Sequence, residues 1–275
     1  VKSLLLATCY LVALGTGAAE SAPIRLHPEN RHYFEFRGKP VVLVGSSEHY
    51  SALINLDFDY LRYLDEVRAC GLNLVRVFTG TYRQYPGFVV EDSPLNVPPG
   101  RFLAPWARSN VPGGSDGSNK FDLTKWDASY FHRLHEFVDA ASARGIVVEL
   151  TLFCPFYVSF PNINDNLWNI SPMNARNHIN GVGAGSATDC FATTSDLLPF
   201  QKALARKCAE ELKSYDNVIF EIANEPYYGV QPGWEALIIA ELVAAEAALP
   251  QRHLIAQNIA NNQRAGSAKR SQGLN

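Results

Sequence analysis

The chain is predicted to be an α/β protein with the architecture of a TIM (β/α)8 barrel, of which about five of the eight βα units are legible. Three observations lead there. One grammar repeats along the 275 residues: an amphipathic helix, a glycine or turn, then a short apolar strand. The strands are apolar almost throughout, the pattern of a parallel sheet covered on both faces. The two longest connections, residues 79–125 and 154–195, leave the C-terminal ends of strands, the rim where barrels carry their functional loops. The competing arrangement is an open Rossmann sheet. It calls for a Gly-rich phosphate turn after an early strand, and Gly45-Ser46-Ser47-Glu48 is no G-x-G-x-x-G.

Residues 1–19 read as a signal peptide: Lys2, an apolar run over 4–14, then small residues to Ala19. The run is shorter than the ~20 residues of a membrane span, so export to the periplasm or beyond is expected. The folded unit is expected over 24–262. Residues 24–39 read as a hairpin with Arg37-Gly38 at its turn, and 41–45 as the first barrel strand. The helix at 58–70 carries Leu61, Leu64 and Val67 at helical spacing, with Asp57 as its N-cap and Gly71 as its stop; strand 72–78 follows. Residues 129–144 repeat the plan, with Leu134, Phe137, Val138 and Ala141 on one face, Gly145 as stop and 146–152 as strand. Helix 198–214 precedes strand 218–222, and helix 234–249 gives way at Pro250 to strand 253–257.

Residues 263–275 are polar and basic, without apolar periodicity. Three further βα units would need on the order of 100 residues, and an open five-stranded sheet would leave bare edges. The expectation is a barrel cut short or frame-shifted near Gln263.

A formal net charge of −3, with no basic block before the last residues, argues against nucleic acid or an anionic membrane surface as partner. Cys9 leaves with the leader. Cys70, Cys154, Cys190 and Cys208 match no zinc spacing; Cys70 and Cys208 are expected as small core residues, and Cys154 with Cys190 is an open disulfide pairing. His132 and His135 lie three apart on one helix without H-E-x-x-H or a third ligand, and read as a solvated face. No metal and no cofactor is expected, and the expected state is a monomer.

Candidate chemistry concentrates in residues 218–226, VIFEIANEP. A buried-strand pattern ends on Asn224-Glu225-Pro226, so a carboxylate stands just past the strand's C-terminal end, where barrels collect catalytic groups. In this order of elements the motif resembles the acid/base motif of the retaining glycoside hydrolases built on (β/α)8 barrels, the cellulase-like group of family 5 type. The resemblance covers about residues 24–262. It implies an exported enzyme that hydrolyses O-glycosidic bonds of a poly- or oligosaccharide. Two carboxyl groups, roughly 5–5.5 Å apart, protonate the leaving oxygen and attack the anomeric carbon.

Residue by residue, the resemblance implies Glu225 as acid/base, Asn224 as a contact to the sugar 2-hydroxyl, and Pro226 as the residue fixing the turn. A general acid at neutral pH needs a raised pKa, which a rim position beside Tyr227 and Tyr228 can supply. Arg76 in LNLVRVF holds the place of the arginine that contacts the nucleophile; read from strand parity alone it is a partner for Glu221. The hairpin at 24–39 would plug the bottom of the barrel. His49 is either a substrate contact or a satisfied structural histidine. Trp106, Trp168, Tyr157 and Tyr82 in the rim loops, with Tyr227, either stack on pyranose faces or pack the loops. The Asn-rich run 162–180 offers amides for sugar hydroxyls or a series of turns.

Two departures stand out. TLFCPF occupies the place of the family's usual histidine after the third strand, and the nucleophile, a glutamate ending the seventh strand, is expected beyond Asn275. Glu48 is the one other rim carboxylate of note. The alternative is a catalytically dead barrel that at most binds carbohydrate. A serine esterase is disfavoured, because no G-x-S-x-G elbow occurs.

Overall fold

Three short strands near the N terminus, β1 (Arg25–Leu26), β2 (Phe34–Phe36) and β3 (Lys39–Val41), make an antiparallel sheet in that order. The computed structural model describes residues 22–46, 51–83, 97–155, 164–226 and 230–258. Residues 1–21, the polar tail and the candidates Glu48, His49, Tyr157, Tyr227 and Tyr228 lie outside the described residues. The turn joining β2 to β3 falls at Arg37-Gly38, with φ of 52° and 73°. Two successive left-handed residues match the twist that a tight hairpin requires.

The hairpin is clamped to the N-terminal end of the main sheet. Arg37 donates from Nε and Nη2 to the two Asp216 carboxylate oxygens at 2.7 and 2.9 Å, and from Nη1 to the Ser142 carbonyl at 3.1 Å. The Ile24 N–H donates to the Asp216 carbonyl at 2.8 Å. Ile24 and Phe36 then pack on Val147 and Ile219, with Leu74 and Leu254 against them. This apolar layer closes the bottom of the sheet's inner face, as the sequence predicts.

Along the chain follow β4 (Gly45–Ser46), α1 (Tyr60–Ala69), β5 (Leu74–Phe78), β6 (Trp106–Arg108), β7 (Phe121–Trp126), α2 (Ala128–Ala143) and β8 (Val147–Phe153). Next are α3 (Asn164–Ile170), α4 (Ala187–Cys190), α5 (Leu198–Leu212), β9 (Val218–Ala223), α6 (Trp234–Ala245) and β10 (Leu254–Ala256). Strands β4, β5, β8, β9 and β10 form one sheet in chain order, every neighbouring pair parallel. Consecutive parallel strands with helices between them are the wall of an α/β barrel, here five strands wide among the described residues. Val75, Val77, Val148, Leu150, Leu152, Val218, Phe220 and Ile222 face the helices and join one large apolar core.

Helix ends follow the sequence signals. Gly71 and Gly145 adopt φ of 75° and 70° just past α1 and α2. Their N–H groups donate to Arg68 and Ser142, and those of Leu72 and Ile146 reach back to Val67 and Ala141, so both helices end in Schellman turns.

Four expectations need correction. The first barrel strand is Gly45–Ser46 and not 41–45. Val41 pairs with Phe34 in the N-terminal sheet, and the link beyond it is held by the Asn73 side chain, which accepts from the Val44 N–H at 2.8 Å and donates to the Val42 carbonyl at 2.9 Å. Asp59 rather than Asp57 caps α1, accepting from the Arg62 N–H at 3.1 Å, while Asp57 pairs with Arg101 at 2.7 Å. Cys70 is exposed at the C-cap of α1 because it lies beyond the helix's buried stripe; Cys208 is fully buried as expected. His132 is solvated, but His135 is pinned between α2 and α5, with ring nitrogens 3.0 Å from the Tyr215 hydroxyl and 2.6 Å from a Glu211 oxygen.

Candidate active site

A strand's alternation puts Arg76 of β5, Glu149 and Thr151 of β8, and Glu221 of β9 on the inner face, opposite the helix-facing valines and leucines. Register brings them together: Arg76 lies beside Glu149, and Thr151 beside Glu221. Glu221 is 3 % exposed. Its carboxylate accepts from Arg76 Nε at 2.9 Å, from Arg76 Nη2, from the Thr151 hydroxyl, and from Asn258 Nδ2 at 3.2 Å. A buried charge with four donors and an arginine partner is a satisfied one. The predicted Arg76–Glu221 pair is therefore present.

The same guanidinium extends one step up the barrel. Arg76 Nη2 donates to Asn224 Oδ1 at 2.8 Å. That contact assigns the Asn224 carbonyl end to arginine and leaves Nδ2 as its donor end. Nδ2 lies 3.5 Å from the buried Cys154 sulfur, and the Asn224 N–H donates to the Phe153 carbonyl at 2.9 Å. Cys154, in the TLFCPF stretch that ends β8, thus packs against the asparagine.

Glu225 follows immediately. It is half-buried and adopts φ 47°, one of two non-glycine residues with positive φ among those described. A glutamate in the left-handed region carries local strain, a condition that clusters where geometry serves function. Strand β9 ends at Ala223, so Glu225 stands two residues past the strand's end.

Glu149 was not among the sequence candidates, although an isolated charge in VVELTL at inward parity marks it. Its Oε2 lies 3.9 Å from Arg76 Nε. Burial, and then the neighbouring Glu221 charge, push its carboxyl up to about 7, with Arg76 offsetting part. A carboxyl raised in the folded state favours its protonated form there. Wild-type stability is then full below the ordinary carboxyl range and declines as pH rises through about 7. Glu149→Gln is expected to gain stability relative to wild type across that window, reaching on the order of 2–3 kcal/mol by pH 8. Urea unfolding at pH 5 and pH 8 measures it; a difference that does not change with pH would show an ordinary Glu149.

The rim aromatics divide. Trp106 and Tyr82 are buried at 0 % and 1 % exposure, the loop-packing alternative: Trp106 opens β6 opposite Trp126 of β7, and the Tyr82 ring meets Phe78 edge to face at 5.9 Å. Trp168 on α3 borders a cavity of about 410 Å³, together with Ser186, Asp189, Asp196 and Gln231. Arg76, Asn224 and Glu225 do not line that cavity. Gln231 ties the wall to the segment after Glu225, its N–H donating to the Phe191 carbonyl at 2.9 Å. Cys190 and Cys154 are not joined in a disulfide; their sulfurs meet separate partners, Gln201 and Asn224, which removes the pairing.

The sequence profile described as cellulase (glycosyl hydrolase family 5) matches residues 35–263. No curated protein matches the chain. Among solved structures, a candidate glycoside hydrolase from Bacteroides vulgatus superposes with a TM-score of 0.57 at 17 % identity, covering 86 % of this chain and 38 % of that one. The glycoside hydrolase family 5 mannosidase from Rhizomucor miehei gives 0.51 at 13 % identity, covering 90 % of this chain and 58 % of that one. Its variant in complex with mannosyl-fructose gives 0.52 at 13 % identity, covering 90 % and 57 %. The chain spans about two to three fifths of the length of these structures.

Proposed function

The chain belongs to glycosyl hydrolase family 5, the cellulase family, and on that premise we propose that it contributes the acid/base half of a retaining glycosidase acting on a poly- or oligosaccharide. Glu225 gives its proton to the departing glycosidic oxygen while a second carboxylate attacks the anomeric carbon. It then takes a proton from the water that releases the sugar. Asn224 donates from Nδ2 to the 2-hydroxyl of the sugar, a contact that strengthens in the transition state. Arg76 positions that amide, and Glu221 holds Arg76. The attacking carboxylate belongs to a seventh strand in this reading, and residues 1–19 direct export.

The observation that carries the proposal is the alignment of three groups at one strand end. Asn224 is oriented by Arg76 at 2.8 Å, and the next residue, Glu225, is held in a left-handed conformation at φ 47°. A preorganised donor beside a kinked carboxylate suits a site built to act on charge that develops at one place.

The test is stereochemical. The full-length protein is incubated with a panel of aryl glycosides and β-linked oligosaccharides, and the first-formed product is read by proton NMR. Release of sugar with the anomeric configuration of the substrate is expected. Release with the opposite configuration would exclude the two-carboxylate displacement. Saturable oligosaccharide binding without any release would instead favour a non-catalytic carbohydrate-binding barrel.

A further inference from the structure

A buried cation lies on the same rim without a directly bonded carboxylate among the described residues. Arg83, in the connection that leaves β5, is 7 % exposed. Its Nε is sealed from solvent with no acceptor, and among the described residues its guanidinium makes no hydrogen bond or ion pair. What it does touch is apolar: the guanidinium carbon lies 4.5 Å from the centroid of the Phe102 ring. Asp116 is the carboxylate that acts on Arg83 electrostatically, but both its oxygens are taken by Arg108, Nη1 at 3.3 Å and Nη2 closer. Arg108 in turn stacks 3.7 Å over Phe121, whose ring meets Phe102 edge to face at 6.2 Å. Two guanidiniums on a pair of phenylalanines therefore share one carboxylate.

That balance is costly for the protein alone, because a buried charge is ordinarily paired. Burial lowers Arg83 to about 10, with Asp116 and Arg108 acting in opposite directions. The location is fixed. Two residues earlier, the Thr81 hydroxyl donates to the Leu152 carbonyl at 3.0 Å and the Thr81 carbonyl accepts from the Ser171 hydroxyl at 3.1 Å. Leu152 lies at the C-terminal end of β8, one residue before the Phe153 carbonyl that anchors Asn224. Arg83 thus belongs to the substrate side of the barrel.

We propose that Arg83 recognises an anionic group on the glycan, the carboxylate of a uronic acid or a sulfate ester, making this rim selective for acidic saccharides. The inference rests on the glycosidase reading for its ligand class. A guanidinium offers a planar fork of donors that fits two oxygens of either group, and the stacked Phe102 holds the fork flat. A neutral sugar would leave the charge as uncompensated as it is in the free protein.

The test uses the full-length protein with glucuronate, glucose 6-sulfate and glucose as probes, by calorimetric titration. At least roughly tenfold tighter binding of an acidic sugar than of glucose is expected, as for gaining one charge-assisted fork. The preference should shrink to within about twofold in Arg83→Gln and survive in part in Arg83→Lys. Glucuronate alone preferred identifies a carboxylate site; the sulfate alone preferred identifies a sulfate site.

Equal binding of all three by the wild type overturns the proposal without any variant. So does an acidic-sugar preference that Arg83→Gln leaves unchanged. Turnover of neutral glycosides with no acidic preference removes this inference and leaves the glycosidase reading standing. Acidic-sugar binding lost in Arg83→Gln without any turnover does the reverse.

Discussion

Arg76→Met is expected to lower the unfolding free energy by about 3 kcal/mol, the lower end of the range for breaking a buried ion pair. The side chain removed is the principal partner of Glu221, whose side chain is only 4 % exposed. Thr151 and Asn258 still donate to the Glu221 carboxylate, but neither carries charge. The lower end applies because Arg76 itself keeps 18 % of its side-chain exposure, and because Glu149, already raised to about 7, can relieve repulsion by holding a proton.

The double variant Arg76→Met/Glu221→Leu should recover most of the loss, since a buried pair replaced by apolar groups is often neutral. Guanidinium melts of the wild type, both single variants and the double variant measure the coupling directly. A loss below 1 kcal/mol in Arg76→Met would mean that the pair is solvated. Activity should fall in both single variants, because Asn224 loses the contact at 2.8 Å that fixes its amide.

Glu225→Gly is expected to cut turnover of unactivated glycosides by roughly 10²–10⁴-fold, the usual contribution of a positioned general acid. Stability should hold or rise by up to about 1 kcal/mol, against the common direction of point substitutions. The reason is the φ of 47° at this position, which glycine adopts without steric cost. Aryl glycosides with good leaving groups need no proton at that step, so their first step should survive in the variant. A uniform loss across leaving groups, or a clear fall in melting temperature, would remove Glu225 from the acid role or from strain.

Much of the scaffold was legible before any coordinates. The repeated helix–glycine–strand grammar predicts five parallel strands in chain order, and the sheet has that order. The turn at Arg37-Gly38, the stops at Gly71 and Gly145, and the Arg76–Glu221 pair were readable because each depends on short-range rules: turn chemistry, capping and strand parity. Other features depend on what arrives from far along the chain. Residues 41–45 look like a strand in isolation, yet the side chain of Asn73 holds the segment that links hairpin to sheet. Trp106 and Tyr82 look like sugar platforms until the fold buries them, Trp106 in the β6/β7 ladder and Tyr82 against Phe78.

The sequence by itself determined the architecture of parallel strands, the family, and the strand end that carries Asn224-Glu225, because these rest on periodicity and a local motif. Only the tertiary structure decided that Arg76 serves Glu221 and Asn224 with one guanidinium, that burial beside Glu221 pushes the Glu149 carboxyl up to about 7, and that Arg83 is buried on a phenylalanine while Asp116, which acts on it, is held by Arg108. Charge pairing and desolvation are set by residues as far as 179 positions apart in sequence, and no local pattern reports how near they come or how dry the space between them is.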